Sequence, residues 1–370
     1  MKSKESWYKL NDTHKIDTPA ILLYPERIKK NISRMLQIAG DPARLWSHVK
    51  THKTIELVRM QVAMGITKFK CATIAEAEMT ALGGGKEILI AFPLIGNAID
   101  RFIKLTIAYS EANFALLADS EIGIREISNK ALDSGLKIKV WLDIDIGMGR
   151  TGVLPTEAFV LYRLIYKLEN LEVQGLHCYD GHVHNDDLNE RKAACYKAFE
   201  PLNGLVTAIT NSGMDKPDVI AGGTPTFQIL AEATVYYLSP GTSVLWDYGY
   251  DSFHNDLGFL CSAVLLTEIV SKPDANKLCL NLGHKAVSSE MQQPRVYFPE
   301  LGEVEMIIHS EEHMVIKTDQ ADMWQVGDCL YGIPTHICPT MALHENANIV
   351  NNSVVTEEWN VIARKRKINY

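Results

Sequence analysis

Eight short β-rich runs alternate with helical stretches between Arg44 and Gly241, and this alternation constrains the fold more than any other feature of the chain. The runs are RLWSHVK (44–50), KFKCAT (68–73), EILIAF (87–92), NFALLAD (113–119), KIKVWLDID (137–145), LEVQGLHCY (171–179), DVIAGG (218–223) and TVYYLSPG (234–241). Eight parallel strands joined by helices is the number that closes a (β/α)8 barrel. The sequence therefore predicts an α/β protein with a TIM-type barrel.

Helical periodicity fills most of the gaps between these runs. Apolar residues recur at helical spacing in the segments 53–64, 74–82, 119–134, 156–169 and 187–212. An earlier β-rich run, AILLY (20–24), is followed by a helical segment in which Pro25 suits the first helical position. We expect this strand and helix to lead into the barrel.

The pattern of predicted elements changes after about Asp251, where short β-rich runs follow one another with turns between them. Connections this short favour antiparallel pairing. The chain is thus predicted to divide into a barrel over residues 15–250 and a mostly antiparallel β domain over residues 251–370. Residues 1–14 are a candidate addition to the β domain.

Composition argues against several classes of partner. Lys and Arg number 37 against 45 Asp and Glu, and the net charge of −8 is scattered without a basic stripe, so we expect no nucleic-acid partner. No apolar run approaches the roughly 18–20 residues of a membrane span, and the polar start has no signal-peptide core, so a cytoplasmic protein is expected. The seven cysteines are widely spaced without a CxxC pair, which argues against a disulfide framework.

The chemistry of such barrels lies at the carboxyl ends of the strands, and the first run ends at a lysine, Lys50. A lysine at the inner end of a barrel strand is partly desolvated, which lowers its pKa and frees a neutral amine to form a Schiff base with an aldehyde. Composition does not separate Lys50 from Lys53, and a solvated loop lysine is the alternative.

The fifth and sixth runs end in further polar residues. The segment DIDIGMGRTG (143–152) places Arg150 in a glycine-rich turn, where its guanidinium could pair with a carboxylate or simply form a surface ion pair. The sixth run leads into a dense set of titratable groups between His177 and His184, and we expect one of them to take part in chemistry.

The seventh run ends in small residues, Ala221-Gly222-Gly223-Thr224-Pro225-Thr226. Backbone N–H groups and hydroxyls in such a segment suit a phosphate, and the loops after strands seven and eight are where barrels most often bind one. A lysine elsewhere at the barrel mouth would complete a site for a phosphorylated aldehyde.

A possible metal pair lies near the end of the β domain, where His336 and Cys338 stand two residues apart. On an extended segment, residues i and i+2 point to the same side, so an imidazole and a thiolate could share one metal, with zinc favoured by this N,S pair. Two protein ligands would leave positions open, as a catalytic metal requires. A chance H-x-C is the alternative.

Seven segments occur in the order and spacing of a known family: SHVKTHK, ATIAEAE (72–78), LDIDIGMGRTG, YDGHVH, GGTPT, LSPGT (238–242) and GIPTHICPT. In these segments the chain resembles the D-threonine aldolase and D-serine dehydratase group of fold-type III pyridoxal-phosphate enzymes. The resemblance implies an alanine-racemase-like barrel followed by a β domain, and it covers nearly the whole chain. SHVKTHK and PTHICPT are its most specific parts.

The resemblance implies a role for each of these segments. Lys50, the first lysine of HVKTHK, would form the Schiff base with pyridoxal 5'-phosphate. Nine further residues would surround the cofactor: His48 and His52 at its flanks, Arg150 and Tyr179 facing the ring or the substrate carboxylate, and Gly222, Gly223, Thr224, Gly241 and Thr242 at the phosphate.

By the same resemblance, His336 and Cys338 would bind a divalent metal beside the cofactor, with zinc or manganese as candidates. The dehydratase branch uses a similar His-x-Cys zinc pair, whereas the aldolases of the group use His-x-Asp, so Cys338 favours dehydration. The YDGHVH segment matches the substrate loop of neither branch.

These expectations combine into a metal-assisted lyase that acts on D-3-hydroxy amino acids. If Lys50 removes the Cα proton, the hydroxide leaves and the products are a keto acid and ammonia. If a base takes the hydroxyl proton, with His182 and His184 as candidates, the Cα–Cβ bond breaks to give glycine and an aldehyde.

Three alternatives stay open. An amino-acid racemase on the same barrel would need a second base and no metal, and a non-catalytic pyridoxal-phosphate-binding protein would not explain the β domain. A zinc hydrolase barrel would use His182 and His184 as ligands. The resemblance also implies a homodimer.

Overall fold

The computed structural model describes residues 6–370, and these residues fall into two compact units. The sheet unit comprises the described residues up to Arg34 together with Thr51–Thr54 and Thr242–Arg364. The barrel unit comprises Met35–Lys50, Ile55–Gly241 and Lys365–Tyr370. The chain passes from the sheet unit to the barrel unit within helix α1 (Pro25–Ala39), which begins at Pro25 and follows strand β1 (Ala20–Leu23).

Eight parallel strands form the barrel unit's sheet, and each pairs with the next along the chain. They are β2 (Trp46–His48), β3 (Lys68–Cys71), β4 (Glu87–Pro93), β5 (Asn113–Ala118), β6 (Ile138–Ile144), β7 (Leu171–Cys178), β8 (Asp218–Ala221) and β9 (Tyr237–Leu238). A parallel bridge between Leu45 and Leu238 joins the first strand region to the last, so the sheet is a nearly closed barrel. The predicted barrel is confirmed, with a strand in each of the eight predicted runs.

Helices connect these strands: α2 (Ile55–Ala63), α3 (Ile74–Leu82), α4 (Asn97–Ala108), α5 (Glu121–Ser134), α6 (Pro155–Lys167), α7 (Leu188–Asn211) and α8 (Phe227–Ala233). Local sequence sets their ends. Thr73 and Ser120 accept the N–H groups of the first turns of α3 and α5, and α5 ends at Gly135 in the left-handed region. The five predicted barrel helices are present, and α4 and α8 are additional to them.

An apolar layer fills the barrel interior. It consists of Trp46, Leu89, Ala115, Leu117, Trp141 and Ile220, all buried, and the two tryptophan rings meet edge to face at 5.9 Å between centroids. Because side chains alternate across a strand, the residues two positions further along these strands also point into the barrel. The polar residues described below occupy that next layer.

The sheet unit holds a nine-stranded, mostly antiparallel sheet, as predicted. Besides β1 its strands are β10 (Ala263–Asp274), β11 (Lys277–Leu280), β12 (Val296–Tyr297), β13 (Glu305–His309), β14 (Met314–Lys317), β15 (Cys329–Pro334), β16 (Asn346–Asn351) and β17 (Val354–Asn360). Two short helices, α9 (Tyr248–Phe253) and α10 (Ile337–Leu343), belong to the same unit. In the part of the chain that the structure describes, no helix has both the length and the apolar character to span a bilayer.

Helix α1 leads into the barrel unit as expected, but strand β1, which the predicted division placed with the barrel in residues 15–250, belongs to the sheet unit. Strand β1 pairs antiparallel with β10 and parallel with β16 in the sheet unit. All four residues of β1 are buried and apolar, so the strand needs a partner on each side, and a central place in the nine-stranded sheet supplies both. Its apolar sequence predicts a buried strand but does not identify the partner strands.

Candidate active site

Polar side chains lie one pleat above the apolar layer of the barrel unit, towards the carboxyl ends of the strands. His48 follows Trp46 by two residues on β2, and Asp143 follows Trp141 by two on β6. The equivalent ends of β3 and β7 carry Lys70 and His177, and all four side chains are buried. The barrel therefore changes from apolar to polar at the end where such barrels carry their chemistry.

Lys50 stands just beyond this layer, in a single 3-10 turn that follows β2. The His48 ring supports that turn, since its Nδ1 accepts the backbone N–H of Lys50 at 3.3 Å. The Lys50 amine lies 5.6 Å from the centroid of the Tyr179 ring, and the Arg150 guanidinium lies 4.8 Å from the same centroid. The structure thus brings together three residues that the sequence singled out separately.

The glycine-rich end of β8 forms a cradle with the end of β9. Gly222 has φ +76°, and a Cβ there would lie 3.0 Å from the Phe227 Cα, so a side chain does not fit. Thr224 Oγ1 accepts the Gly241 N–H at 3.2 Å, which ties the two loops together. Ser239 donates its N–H to the Ala221 carbonyl at 3.0 Å, and its buried hydroxyl has no partner among the described residues. An unpaired hydroxyl beside a glycine turn fits the phosphate of a cofactor.

Asp180 lies two residues beyond the end of the neighbouring strand β7 and organises this cradle. Its Oδ1 accepts the N–H of Gly223 at 2.8 Å, and its Oδ2 accepts the Thr226 hydroxyl. Burial raises the pKa of Asp180, while these two hydrogen bonds oppose the rise. The Asp180 side chain therefore fixes the loop whose residues are candidates for binding the phosphate.

The sequence argument missed a buried chain of polar groups inside the barrel. Lys70 Nζ lies 3.3 Å from His177 Nε2, His177 Nδ1 lies 2.7 Å from Asp143 Oδ1, and Thr151 donates to the other Asp143 oxygen at 2.8 Å. Burial, followed by the charge of Lys50, lowers the pKa of Lys70 to about 7. The sequence analysis looked for a lysine only at the end of the first β-rich run. The same search at the end of the second run, KFKCAT, would have found Lys70.

The two histidines considered as bases occupy different environments. His182 is half-buried and packs over Gly147, where an added Cβ would lie 2.9 Å from its Nε2. Gly147 belongs to the same glycine-rich turn as Arg150, so His182 borders that turn. His184 is exposed.

His52 lies in the sheet unit rather than with Lys50 in the barrel unit. Its ring is completely buried, and its Nδ1 accepts the Thr54 N–H at 3.2 Å. Burial and then the nearby charge of Lys53 lower the pKa of His52 to about 3. The ring is therefore neutral in the folded protein, and its role beside a cofactor stays a prediction.

The candidate metal pair lies in the sheet unit, and its backbone differs from the expected extended segment. His336 is the extended residue that precedes α10, whereas Cys338 is already inside the helix. The side chains still meet in a hydrogen bond. Burial lowers the pKa of His336, but the hydrogen bond and charge of Cys338, together with Asp247 and Glu290, outweigh burial and raise the pKa to about 9. His336 caps the N-terminus of α10 and Cys338 is the second residue of that helix, so the start of the helix brings the two side chains together. The prediction that they lie close together rested instead on an extended segment.

The surroundings of this pair suit a metal ligand set. His336 Nδ1 donates to Glu290 Oε1 at 2.6 Å, which leaves Nε2 for a metal, in the arrangement that carboxylates commonly give to zinc-binding histidines. The hydroxyls of Thr51 and Thr242 lie 3.1 and 3.4 Å from Cys338 Sγ. Within residues 6–370 no cluster of three or more His, Cys, Asp or Glu side chains could hold a metal.

Comparison with known families identifies the class of protein. Residues 24–248 match the family model described as "Alanine racemase, N-terminal domain", and residues 262–350 match "Putative serine dehydratase domain". The first match spans more than half of the chain. The chain therefore belongs to the alanine-racemase-like family, in its D-threonine aldolase and D-serine dehydratase group, whose enzymes use pyridoxal phosphate. The resemblance inferred from the motifs is confirmed.

Individual relatives fall in the same group. The D-threonine aldolase of Arthrobacter sp is 27% identical over 95% of this chain and 93% of the relative. The 3-hydroxy-D-aspartate aldolase of Paracoccus denitrificans (strain Pd 1222) is 29% identical, again over 95% and 93%. The crystal structure of D-threonine aldolase from Filomicrobium marinum is 25% identical and superposes with a TM-score of 0.87 over 94% of this chain and 95% of that chain.

Proposed function

We propose that the protein is a metal-assisted, pyridoxal-phosphate-dependent lyase that acts on D-3-hydroxy amino acids, with Lys50 as the Schiff-base lysine. The meeting of Lys50, Arg150 and Tyr179 at one end of the barrel carries this proposal. Similarity to two aldolases over 95% of the chain supports the lyase reaction over a racemase.

The residues of the barrel unit fit the cofactor. Lys50 would hold its aldehyde carbon, with His48 supporting the lysine's turn. The cradle around Gly222, Gly223 and Thr224, with Gly241 and the unpaired Ser239 hydroxyl, would hold the phosphate. Thr242 follows Gly241 directly and is the remaining phosphate candidate. When bound, pyridoxal phosphate supplies an electron sink for a bond broken at Cα.

His336 and Cys338 would hold a divalent cation, and their nitrogen and sulfur donors suit zinc. Two protein ligands leave coordination positions for the substrate hydroxyl and water, which a Lewis acid needs in order to act on that hydroxyl. Thr51 and Thr242 fix the thiol at the first turn of α10. Manganese is the alternative metal.

The choice between two bond cleavages depends on which group moves a proton. In dehydration the Lys50 amine would take the proton from Cα, and the hydroxyl would leave. In aldol cleavage a base would take the hydroxyl proton, and of the two histidine candidates the half-buried His182 suits this role better than the exposed His184. The serine dehydratase domain match and Cys338 favour the first reaction, and the two aldolase relatives favour the second.

Product analysis distinguishes these reactions. Protein loaded with pyridoxal phosphate and Zn²⁺ or Mn²⁺ is incubated with D-threonine and with D-serine. Glycine and acetaldehyde identify an aldolase, whereas 2-oxobutanoate or pyruvate with ammonia identifies a dehydratase. L-Threonine is the stereochemical control and is expected to give no product.

The metal is tested in the same assay. Removal of the cation by a chelator, His336→Ala and Cys338→Ala should each reduce turnover at least tenfold, as losses around metal sites commonly do. Full turnover in the chelated enzyme contradicts the role of this pair. Racemised substrate without any cleavage product contradicts the lyase proposal itself.

We further propose that the enzyme works as a homodimer on free amino acids, without nucleic-acid or membrane partners. Closed two-fold pairs are the commonest assemblies of soluble homo-oligomers, which supports the dimer. Sedimentation should give twice the mass of one chain, and a monomer mass contradicts this part of the proposal.

A further inference from the structure

Lys70 is a buried, titratable side chain to which the proposed reaction assigns no role. It lies on β3 among the polar groups of the barrel, and only 3% of its surface is exposed. Burying an amine costs free energy, because the charged form loses its hydration. A methionine of similar size would fill the same space without that cost.

The contacts of Lys70 are directional. The amine lies 3.3 Å from His177 Nε2, and Asp143 Oδ1 lies 2.7 Å from His177 Nδ1. A carboxylate holds the proton on Nδ1, so Nε2 accepts a hydrogen bond from the amine. One N–H of Lys70 is therefore fixed by His177, and the rest of the amine can face another acceptor.

That amine faces the same ring as the Schiff-base lysine. Lys70 Nζ and Lys50 Nζ each lie 5.6 Å from the Tyr179 centroid. The charged and titratable groups that act on Lys70 come from the ends of three barrel strands: Lys50 after β2, Asp143 on β6 with Arg150 in the following turn, and His177 on β7 with Asp180 after it. Three basic side chains thus surround one tyrosine ring, which concentrates positive potential there.

We propose that Lys70 is a positioning residue for the cofactor, which supplies, with Arg150, a hydrogen-bond donor for the anionic ring oxygen next to the lysine-bound carbon. This inference rests on the proposed function, because that oxygen is present only if pyridoxal phosphate joins Lys50. In pyridoxal phosphate the ring oxygen and the aldehyde are on adjacent ring carbons, so a donor for the oxygen must lie near the lysine that binds the aldehyde. Lys70 satisfies this condition through the ring that it shares with Lys50.

The inference predicts opposite effects on stability and on cofactor binding. Lys70→Met removes a buried amine, so the melting temperature of the apo protein should stay the same or rise. The same substitution should weaken pyridoxal-phosphate binding roughly tenfold or more, since a hydrogen bond to a charged group is lost. The absorbance of the lysine-bound cofactor should shift from the visible band towards the near-ultraviolet band, because the ionised ring oxygen loses a donor.

The experiment measures three quantities in the full-length protein: the Kd for pyridoxal phosphate, the ratio of the two absorbance bands, and the apo melting temperature. Lys68→Met is the matched control, because Lys68 is on the same strand and the same face but beside Tyr237, 4.5 Å from its centroid. The control should change neither Kd nor band ratio. Lys70→Gln, which keeps an N–H donor without a charge, is the second variant and should give an intermediate Kd.

The outcomes separate this inference from the proposed function. A wild-type protein without Lys50-dependent visible absorbance overturns both. A wild-type protein with that absorbance, and a folded Lys70→Met with unchanged Kd and band ratio, overturns the inference alone. If the methionine variant does not fold, an unchanged Kd and band ratio in Lys70→Gln does the same. A lower melting temperature with unchanged cofactor binding would show that Lys70 is structural.

Discussion

Single residues at the strand ends decide what the barrel can bind. Lys50 is half-buried with its amine over Tyr179, while Asp180 and Ser239 lie buried beside the glycine cradle. A buried unpaired hydroxyl such as that of Ser239 is rare in folded proteins and calls for an explanation. A phosphate bound in the cradle would supply the missing acceptor.

Burial of His52 predicts a pH dependence of stability. Its folded pKa of about 3 lies below the ordinary 6.5, so the unfolded chain binds the proton more readily than the folded one. The contribution of His52 is therefore undiminished above pH 6.5 and is lost as the pH falls from 6.5 towards 3, by at most about 1.4 kcal/mol per pH unit.

Denaturant unfolding between pH 7 and 4 measures this effect. His52→Asn keeps an acceptor for Thr54 and should give a shallower fall of the unfolding free energy than the wild type. His14→Asn is the control, because His14 is exposed, and it should leave the slope unchanged. Equal slopes in wild type and His52→Asn would refute the assignment.

The turns that follow the barrel strands bring these residues together. The backbone of the glycine-rich turn after β6 is the most constrained of these turns. Gly152 has φ +101°, and a Cβ there would lie 2.5 Å from the Asp145 nitrogen. Its own N–H donates to Asp119 at 3.1 Å, which ties the turn to the end of β5. The path of the chain past Arg150 therefore depends on a glycine at this position.

Gly152→Ala should lower the free energy of unfolding by about 1–3 kcal/mol, because it combines backbone strain with a backbone clash. Gly204→Ala is the matched control: it lies in α7 with nothing within 4 Å of an added Cβ. That substitution should raise the free energy of unfolding by about 0.5–1 kcal/mol, since alanine favours a helix interior. Thermal denaturation compares them, and equal effects would contradict this account of the turn.

Elements also show where sequence reasoning succeeded and where it stopped. Regular alternation of β-rich and helical segments predicted all eight barrel strands, because local periodicity reports burial along one element. Strand β1 was grouped with the barrel domain although it pairs in the other sheet, because periodicity carries no information about partner strands. The helix start at Ile337 was missed because a Pro-Thr-His-Ile segment does not show where an extended chain turns into a helix.

The whole molecule combines the barrel that the sequence predicted with a mostly antiparallel sheet. Its sequence motifs were enough to identify the family. The family resemblance implied that Lys50, Arg150 and Tyr179 share a site, and in the barrel unit the Lys50 amine and the Arg150 guanidinium both lie near the Tyr179 ring. Lys70 escaped prediction because a lysine in a short strand is usually exposed, so the strand-end argument was not applied to it, whereas the barrel buries its side chain.

The identity of the lysine that binds the cofactor tests the proposed function most directly. Wild-type protein with pyridoxal phosphate should turn yellow, and borohydride reduction followed by peptide mass mapping should find the cofactor on Lys50. Lys50→Ala should lose both the visible absorbance and the label. A label on Lys53 in the wild type, or full absorbance in Lys50→Ala, would contradict the proposed site.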